Sequence, residues 1–172
     1  MMTNRQIDLQ GVDKVDELVY EHLEPKFVKV QTVLVVMGYL CVMLVPLSLL
    51  LINDFPYRMT LLIVIEAVLL LLALVNIWFV PKAYRYKGFA IREHDISYRS
   101  GLIFPKTITV PFCKIQQVNV GQGFVPRMFG LYEVDVVNGA QMLSSLAIPG
   151  LTAERANQIK ELVMRKVKDE KQ

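Results

Sequence analysis

The sequence contains few of the residues from which catalytic and metal sites are usually built. Only two of its 172 residues are cysteines and two are histidines. Cys41 lies within a long apolar run and Cys113 lies far beyond it, so we expect no disulfide framework. His22 and His94 are far apart and lack companions at metal-binding spacing. We therefore predict neither a metal site nor a disulfide-stabilised fold.

Sequence motifs of common enzymes are also absent. The chain has no G-x-S-x-G motif and no Walker A lysine, and Gly121-x-Gly123 alone is weak evidence for a phosphate loop. Glu133 and Asp135 offer two carboxylates, but alternate strand positions share a face, which is typical of a solvated surface. No aromatic platform is interleaved with a basic stripe. We predict no catalytic residues, no enzyme activity, no cofactor and no nucleic-acid partner.

Charge is scarce in two long segments that organise the chain. Residues 27–52 and 59–80 are nearly all apolar. Each run exceeds the ~20 residues that an α-helix needs to cross ~30 Å of hydrocarbon. The link between them, residues 53–58, is so short that the second helix must return straight across the bilayer. The sequence predicts a membrane hairpin of two transmembrane helices, with Pro46 and Ser48 as positions where the first helix kinks.

Basic residues flank the predicted hairpin. The chain carries a net charge of +3, and residues 81–172 alone contribute +6. Because positive residues beside a span favour the cytoplasmic side, we expect both termini to be cytoplasmic. Lys26 and Lys29 lie at the start of the first span and Lys82, Arg85 and Lys87 follow the second, whereas the connecting loop has one basic residue, Arg58.

Glu66 interrupts the second apolar run. It lies about seven residues from Met59, which is roughly 10 Å along the helix axis. A carboxylate at that depth is costly and normally faces protein or water rather than lipid. Three interpretations stay open: a proton or substrate site, a neutral hydrogen-bonded acid at a helix contact, or an acid reaching towards the outer interface.

Pattern changes divide the chain into three parts. Residues 1–26 form an N-terminal segment, residues 27–80 form the hairpin, and residues 81–172 form one compact domain. Apolar positions between Val12 and Leu23 recur at helical spacing opposite an acidic face, which predicts a short amphipathic helix. Its acidic face argues against adhesion to anionic lipid. The helix is therefore expected to pack on its own domain or to dock a partner.

After Pro81 the pattern becomes that of short strands closed by a helix. Asn138-Gly139 is a strong hairpin signal, and Thr152 is expected to cap a C-terminal helix. We predict a mainly-β barrel or sandwich with this helix packed on it. The predicted strands are 83–92, 96–99, 103–110, 115–122, 130–137 and 142–148. The apolar face of the helix comprises Ala156, Ile159, Val163 and Val167.

One stretch resembles a known family. The sequence from Val110 to Val118, VPFCKIQQV, followed by Gln122, Arg127 and Phe129-Gly130-Leu131, resembles the bacterial pleckstrin-homology (PH) domain of the DUF304 type. With two preceding spans, the chain is similar to the YdbS-like membrane proteins over about residues 20–168.

The resemblance implies a bacterial cytoplasmic membrane protein with a PH-like barrel of about seven strands, capped by the C-terminal helix. The strand missing from the pattern would come from dividing the first long stretch or from residues 122–130. The family carries no established catalytic residues. Binding of phosphoinositides is not inherited from eukaryotic PH domains, since shared fold does not imply shared function.

The glutamine motif has a physical interpretation of its own. Pro111 is expected to separate two strands, because it donates no hydrogen bond to a ladder. Ile115 and Val118 are expected to face the core. Gln116 and Gln117 are expected to point to opposite faces, and one of them either satisfies backbone groups inside the barrel or belongs to a ligand or partner site.

The segment after this motif carries Arg127, which is expected to share the same structural or binding role beside a turn at Gly130. It also carries an apolar cluster that is either a plug of the core or an exposed contact surface. The cluster comprises Phe124, Val125, Met128 and Phe129.

Two functions follow. The favoured one is a non-enzymatic, membrane-anchored interaction or scaffold module at the cytoplasmic face, in contact with the bilayer. Arg99, Lys106, Lys114 and Arg127 are candidates for binding anionic headgroups or an acidic partner, or they are scattered surface charges. The alternative is a subunit of a transport, export or resistance assembly with Glu66 facing a polar path. Assembly with further copies or with a related membrane protein fits either function.

Overall fold

The computed structural model describes residues 19–51, 57–138 and 145–170. The described chain contains a helical hairpin, two antiparallel sheets and a C-terminal helix. The helices are α1 (Lys26–Met43), α2 (Arg58–Tyr86), α3 (Phe124–Met128) and α4 (Ala153–Asp169). The strands are β1 (Glu21–His22), β2 (Gly88–Ile91), β3 (Asp95–Ser100), β4 (Lys106–Pro111), β5 (Ile115–Gly121), β6 (Tyr132–Asn138) and β7 (Ser145–Leu151).

The predicted hairpin is confirmed. The segment Lys26–Ser48 and helix α2 are each long and apolar enough to cross a membrane, and few of their residues are buried inside the protein. The first helix ends at Met43 and gives way to a 3-10 segment at Pro46–Leu51. This break is the predicted kink, because Pro46 has no N–H with which to continue the α-helical ladder. Most of the link at residues 53–58 lies outside the described residues.

The strand predicted from residue 83 is wrong over its first part. Helix α2 continues through Pro81 to Tyr86, and β2 begins only at Gly88. The alternating tyrosines that suggested a strand are helical residues whose placement is set by tertiary contacts. The Tyr84 hydroxyl donates to the carbonyl of Leu23 at 2.5 Å. This bond joins the end of α2 to the segment that precedes α1.

The amphipathic helix predicted for residues 12–23 is also corrected. Residues 12–18 lie outside the described residues, and Glu21–His22 forms strand β1. Glu21 pairs with Phe89 and His22 pairs with Gly88. The edge of β2 offers unpaired backbone groups that the preceding segment satisfies, and this outweighs a weak helical pattern.

The strands form two sheets, in the orders β1-β2-β3-β4 and β5-β6-β7, with every neighbouring pair antiparallel. Strands β3 and β4 contact β7, so the two sheets enclose one core. The seven strands and the C-terminal helix agree with a PH-like fold. The seventh strand is β1, which precedes the hairpin. Residues 122–130 supply α3 and no strand, contrary to one expectation.

The last strand differs from its prediction. It runs over Ser145–Leu151, and therefore passes through Pro149 and Gly150, where we expected it to end. Residues 142–144 and Gly139 lie outside the described part of the chain. The antiparallel pairing of β6 with β7 nevertheless agrees with the hairpin that Asn138-Gly139 indicates.

Helix α4 behaves as predicted. The Thr152 hydroxyl accepts a hydrogen bond from the Arg155 backbone N–H at 3.2 Å, which caps the helix. Glu154 lies in the first turn, where a negative charge is favourable. The four residues predicted to face the core are all buried: Ala156, Ile159, Val163 and Val167.

The β domain has two distinct ends. Its hairpin end adjoins the helices, because β2 follows α2 directly and β3 returns so that Arg99 pairs with Gly88. The loop of residues 101–105 and helix α3, which packs against α1, lie at this end. The far end carries the 3-10 turn Phe112–Lys114 and the turn at His94, whose carbonyl accepts the Phe112 N–H at 2.9 Å.

The first turns of α1 belong to the core of the β domain. Leu23, Phe27 and Val30 are buried in one continuous cluster with the inward-facing residues of both sheets and α4. The Glu24 N–H donates to the Gly150 carbonyl at 2.9 Å. Burying side chains such as Phe27 and Val30 stabilises a fold by roughly 1.5–3 kcal/mol each. Hairpin and β domain therefore share one core.

We predict that Gly150→Ala destabilises the protein more than Gly130→Ala does. Both glycines have a positive φ, +70° and +67°, and an alanine there costs about 1–2 kcal/mol. Only at position 150 would the added Cβ lie 2.6 Å from Phe27 Cγ; position 130 is open. Overpacking adds roughly 1–3 kcal/mol. The free energy of unfolding of each variant in detergent measures the difference. Equal losses for the two variants would contradict tight packing of Phe27 on β7.

Candidate functional site at the hairpin end

The four basic residues singled out by the sequence do not form one cluster. Lys106 begins β4 and Arg127 lies in α3, so both are exposed at the hairpin end. Arg99 is the penultimate residue of β3, at the same end. Lys114 ends the 3-10 turn at the far end. The structure thus groups three of these residues and separates Lys114, while their role in binding stays a prediction.

Arg99 is engaged by the protein itself. Its guanidinium carbon lies 4.2 Å from the ring centre of Tyr20 and 4.6 Å from that of Tyr86. Its Nε donates to the Tyr86 carbonyl at 3.2 Å. Cation–π contacts of this kind stabilise folds. Arg99 therefore joins β3 to α2 and to the residue that precedes β1. The sequence did not reveal this arrangement because Tyr20 and Tyr86 were assigned to the wrong elements.

Two lysines mark the end of the second span. The Lys82 ammonium lies 3.2 Å from the ring centre of Trp78. The Lys87 ammonium lies 5.4 Å from the ring centre of Phe27, and burial lowers the pKa of Lys87. Such a combination of aromatic rings and cations is typical of the membrane–water boundary.

The glutamine motif is only partly as expected. Pro111 ends β4, and Ile115 and Val118 are buried, as predicted. Gln116 and Gln117 are both exposed, because the β5–β6 register shifts between residues 115 and 117. Their assignment to opposite faces is therefore wrong.

The glutamine that satisfies a backbone group is Gln122, one position beyond β5. Its Nε2 donates to the Leu131 carbonyl at 3.1 Å. The Leu131 N–H donates to the Pro126 carbonyl at 3.0 Å, and Gly130 turns the chain with a positive φ. These contacts fix α3 to the start of β6 and leave the side chain of Arg127 exposed.

The apolar cluster around α3 divides between the two expected roles. Val125 is buried and Phe129 packs against the core. Phe124 and Met128 are one helical turn apart on the opposite side and are 80% and 73% exposed. One half of the cluster therefore plugs the core, and the other half forms an apolar surface.

A second apolar surface was missed because residues 103–105 were assigned to a strand. β4 begins only at Lys106, so Ile103 and Phe104 stand in a loop and are 71% and 84% exposed. Gly101 turns this loop with φ +85°, and a Cβ there would lie 2.1 Å from the Phe104 carbonyl oxygen. The signal in the sequence is the pair Gly101 and Pro105, which brackets a turn.

The carboxylates of β6 lie on a partly buried face, less solvated than expected. Burial, followed by the charge of Asp135, raises the pKa of Glu133. Burial also raises the pKa of Asp135. On β3, burial followed by the charge of Glu133 raises the pKa of Tyr98 to about 12. Among the described residues, no group of three or more His, Cys, Asp or Glu side chains is arranged to hold a metal.

Glu66 is half-buried in the hairpin. Its Oε1 is enclosed and has no hydrogen-bond partner among the described residues, and the same holds for Gln31 Oε1. Further along the helices, Asn76 Nδ2 donates to the Tyr39 hydroxyl at 3.3 Å across the two helices. Asn76 is thus an interhelical hydrogen-bonder, whereas the described chain supplies Glu66 Oε1 with no such partner.

A polar groove of about 340 Å³ lies between β1 and α4. Arg155 spans it and forms an ion pair with Glu21, and both side chains are substantially exposed. Exposed ion pairs contribute little to stability. Glu24 and Glu154 also line the groove, so it is acidic and unsuited to an anionic ligand.

Comparison with known proteins supports the family indicated by the motif. A family model described as Bacterial PH domain matches residues 27–167. The chain is 28% identical over 103 residues to UPF0699 transmembrane protein YdbS of Bacillus subtilis (strain 168), covering 59% of this chain and 63% of that protein. The chain thus matches less than two thirds of the length of this relative. No solved structure matches it.

Proposed function

The chain belongs to the bacterial PH domain family, and from this premise we propose that it is a non-enzymatic, membrane-anchored interaction module. It is a membrane protein with two apolar helices and a relative named as a transmembrane protein. In this proposal the hairpin holds the PH-like domain in a fixed orientation on the cytoplasmic face of the bacterial membrane. There the domain binds anionic headgroups or acts as a scaffold for a partner.

The observation that carries this proposal is the shared core. Phe27 and Val30 of α1 are buried among residues of both sheets, and the end of α2 is tied back by the Tyr84 hydroxyl. A flexible linker would let the domain search the cytoplasm. A shared core instead presents the same end of the domain to the membrane at all times.

Anionic headgroups are the ligand that the hairpin end favours. Lys106 and Arg127 are exposed there, and Lys82 and Arg85 lie in the last turns of α2. A basic residue near an anionic bilayer surface contributes about 1 kcal/mol. Arg99 contributes its charge to the field, while its guanidinium remains stacked on tyrosine rings.

We predict that Lys106→Gln combined with Arg127→Gln weakens retention of phosphatidylglycerol by the purified protein. At about 1 kcal/mol for each charge, the double variant loses about thirtyfold in affinity. Native mass spectrometry of the protein in mild detergent, with phosphatidylcholine as the neutral competitor, measures the retention. Lys114→Gln is the control for one charge removed at the far end, where an effect of net charge alone would cost about fivefold.

A loss of about fivefold for Lys114→Gln would show that net charge alone attracts the lipid. Unchanged retention in the double variant would contradict the assignment of the headgroup site to the hairpin end.

The cytoplasmic orientation has its own test in the native cysteines. Cys113 is exposed at the far end, whereas Cys41 lies within the first span. We predict that a membrane-impermeant maleimide labels Cys113 in inside-out vesicles and leaves it unlabelled in intact spheroplasts. Cys41 stays unlabelled in both, because its thiol faces hydrocarbon. Cys113→Ser is the control, and labelling in spheroplasts would reverse the topology.

A second candidate function, a subunit of a transport, export or resistance assembly, is favoured by Glu66. Its enclosed Oε1 has no hydrogen-bond partner within the described residues, and intramembrane carboxylates are commonly functional. A polar path around it requires further copies of the chain or a related membrane protein.

For this candidate we predict a defined oligomer or co-complex in mild detergent, measured as assembled mass. We also expect Glu66→Gln to retain the assembled mass. The same variant should abolish the flux of protons down an imposed pH gradient in proteoliposomes. Glu66→Asp, which keeps the carboxylate at the same position, is the matched control. A monomer, or a flux that survives Glu66→Gln, would eliminate the candidate.

A further inference from the structure

Exposed apolar side chains of the β domain are concentrated at its hairpin end. Of the described residues beyond Tyr86, four large apolar side chains are more than 70% exposed, and all four belong to two segments. Ile103 and Phe104 stand on the β3–β4 loop, and Phe124 and Met128 on α3. Contiguous exposed apolar surface on a protein usually marks an interaction site.

Both segments are held in place by the fold. The β3–β4 loop begins at Gly101, whose positive φ and close approach to the Phe104 carbonyl exclude a side chain. Helix α3 is fixed by Val125 in the core and by the contacts of Leu131 and Gln122 described above. The exposed rings are therefore presented by the fold itself.

The position of the two segments relative to the helices favours the lipid bilayer as their partner. Helix α3 packs against α1, and the β3–β4 loop follows directly on the residues that pair with the start of β2. Both segments thus lie beside the points where the two spans leave the bilayer. The two helices themselves expose many large apolar side chains, so the two segments and the spans present apolar groups on the same side of the domain.

The dimensions agree with contact to the bilayer. The apolar run of α2 ends near Val80, and the helix continues to Tyr86 for about 9 Å more. That distance is close to the thickness of one headgroup layer, about 5–8 Å. The middle of the β3–β4 loop extends two to three residues beyond the pairing of Ser100 with Lys106, a reach of up to about 10 Å. This reach is sufficient to bring Phe104 to the depth of the hydrocarbon boundary.

Basic residues accompany each of the two exposed apolar tips, which are Ile103 with Phe104 on the loop and Phe124 with Met128 on α3. Lys106 follows the loop after Pro105, and Arg127 lies between the exposed residues of α3. An apolar tip bordered by cations is the composition that interfacial membrane segments use, with rings among the acyl chains and charges among the headgroups.

We propose that Ile103 and Phe104 on the loop, together with Phe124 and Met128 on α3, insert into the leaflet from which the domain emerges. The inference rests on the proposed membrane-anchored module and deepens it. The two tips and the two spans form four attachments on one side of the domain. They hold its strands in a fixed orientation and set the headgroup-binding side chains at the membrane surface.

The test places a tryptophan on each tip. Phe104→Trp and Phe124→Trp are made separately in a Trp78→Phe background, which removes the native tryptophan. Each full-length protein is reconstituted in phosphatidylcholine vesicles with and without lipids brominated high on the acyl chain. The matched control is Met164→Trp on α4, where the native side chain is also apolar and 39% exposed.

We expect brominated lipid to quench the emission of both tip tryptophans by about half, as for a side chain 5–10 Å into the interface, and to leave Met164→Trp unchanged. Emission that is neither blue-shifted nor quenched at the tips overturns the proposal. Emission that is blue-shifted but unquenched also overturns it, since the tips are then covered by protein, such as a second copy.

A second measurement keeps the proposal falsifiable if Trp78→Phe fails to fold. Spin labels on Phe104→Cys and on Phe124→Cys, in a Cys41→Ser and Cys113→Ser background, should be more accessible to oxygen than to a water-soluble nickel chelate. The reverse preference contradicts insertion.

The vesicles contain no anionic lipid, so the two proposals fail separately. Quenching without phosphatidylglycerol selectivity supports insertion alone, whereas selectivity with unquenched tips supports the headgroup site alone.

Discussion

The structure depends on burying the first turns of a transmembrane helix in the core of the β domain. Phe27 and Val30 are apolar residues at the start of a membrane-spanning segment, yet they contact neither lipid nor water. Gly150 makes this possible, because a side chain at its position would occupy the space of the Phe27 ring. The same buried side chains therefore anchor the β domain to the membrane helix and stabilise its fold.

This shared core determines what the domain presents to the membrane. Since β2 leaves directly from α2 and every strand pair is antiparallel, alternate connections return to the hairpin end. The loop of residues 101–105 and helix α3 lie there, whereas Lys114 and Cys113 lie at the far end. The basic and apolar groups of the loop and of α3 share the hairpin end for this topological reason, although they are distant in sequence.

Some features of the site could be predicted from the sequence and others could not. The burial of Ile115 and Val118 follows from their apolar character and strand context. The exposure of both Gln116 and Gln117 does not, because a register shift in β5 changes which face each residue takes. The stacking of Arg99 on Tyr20 and Tyr86 joins residues from three elements, and no local pattern encodes such a contact.

Local sequence patterns were sufficient to predict the membrane hairpin, the strand-rich domain, its family and the capped C-terminal helix. Those features depend on local properties: the length of apolar runs, periodicity, turn residues and a motif. Three further features became apparent from the folded chain: Glu21–His22 is a strand, α2 continues to Tyr86, and each charge lies at a particular end of the domain. These outcomes depend on pairing and packing between distant segments, where edge hydrogen bonds and shared burial outweigh local preference.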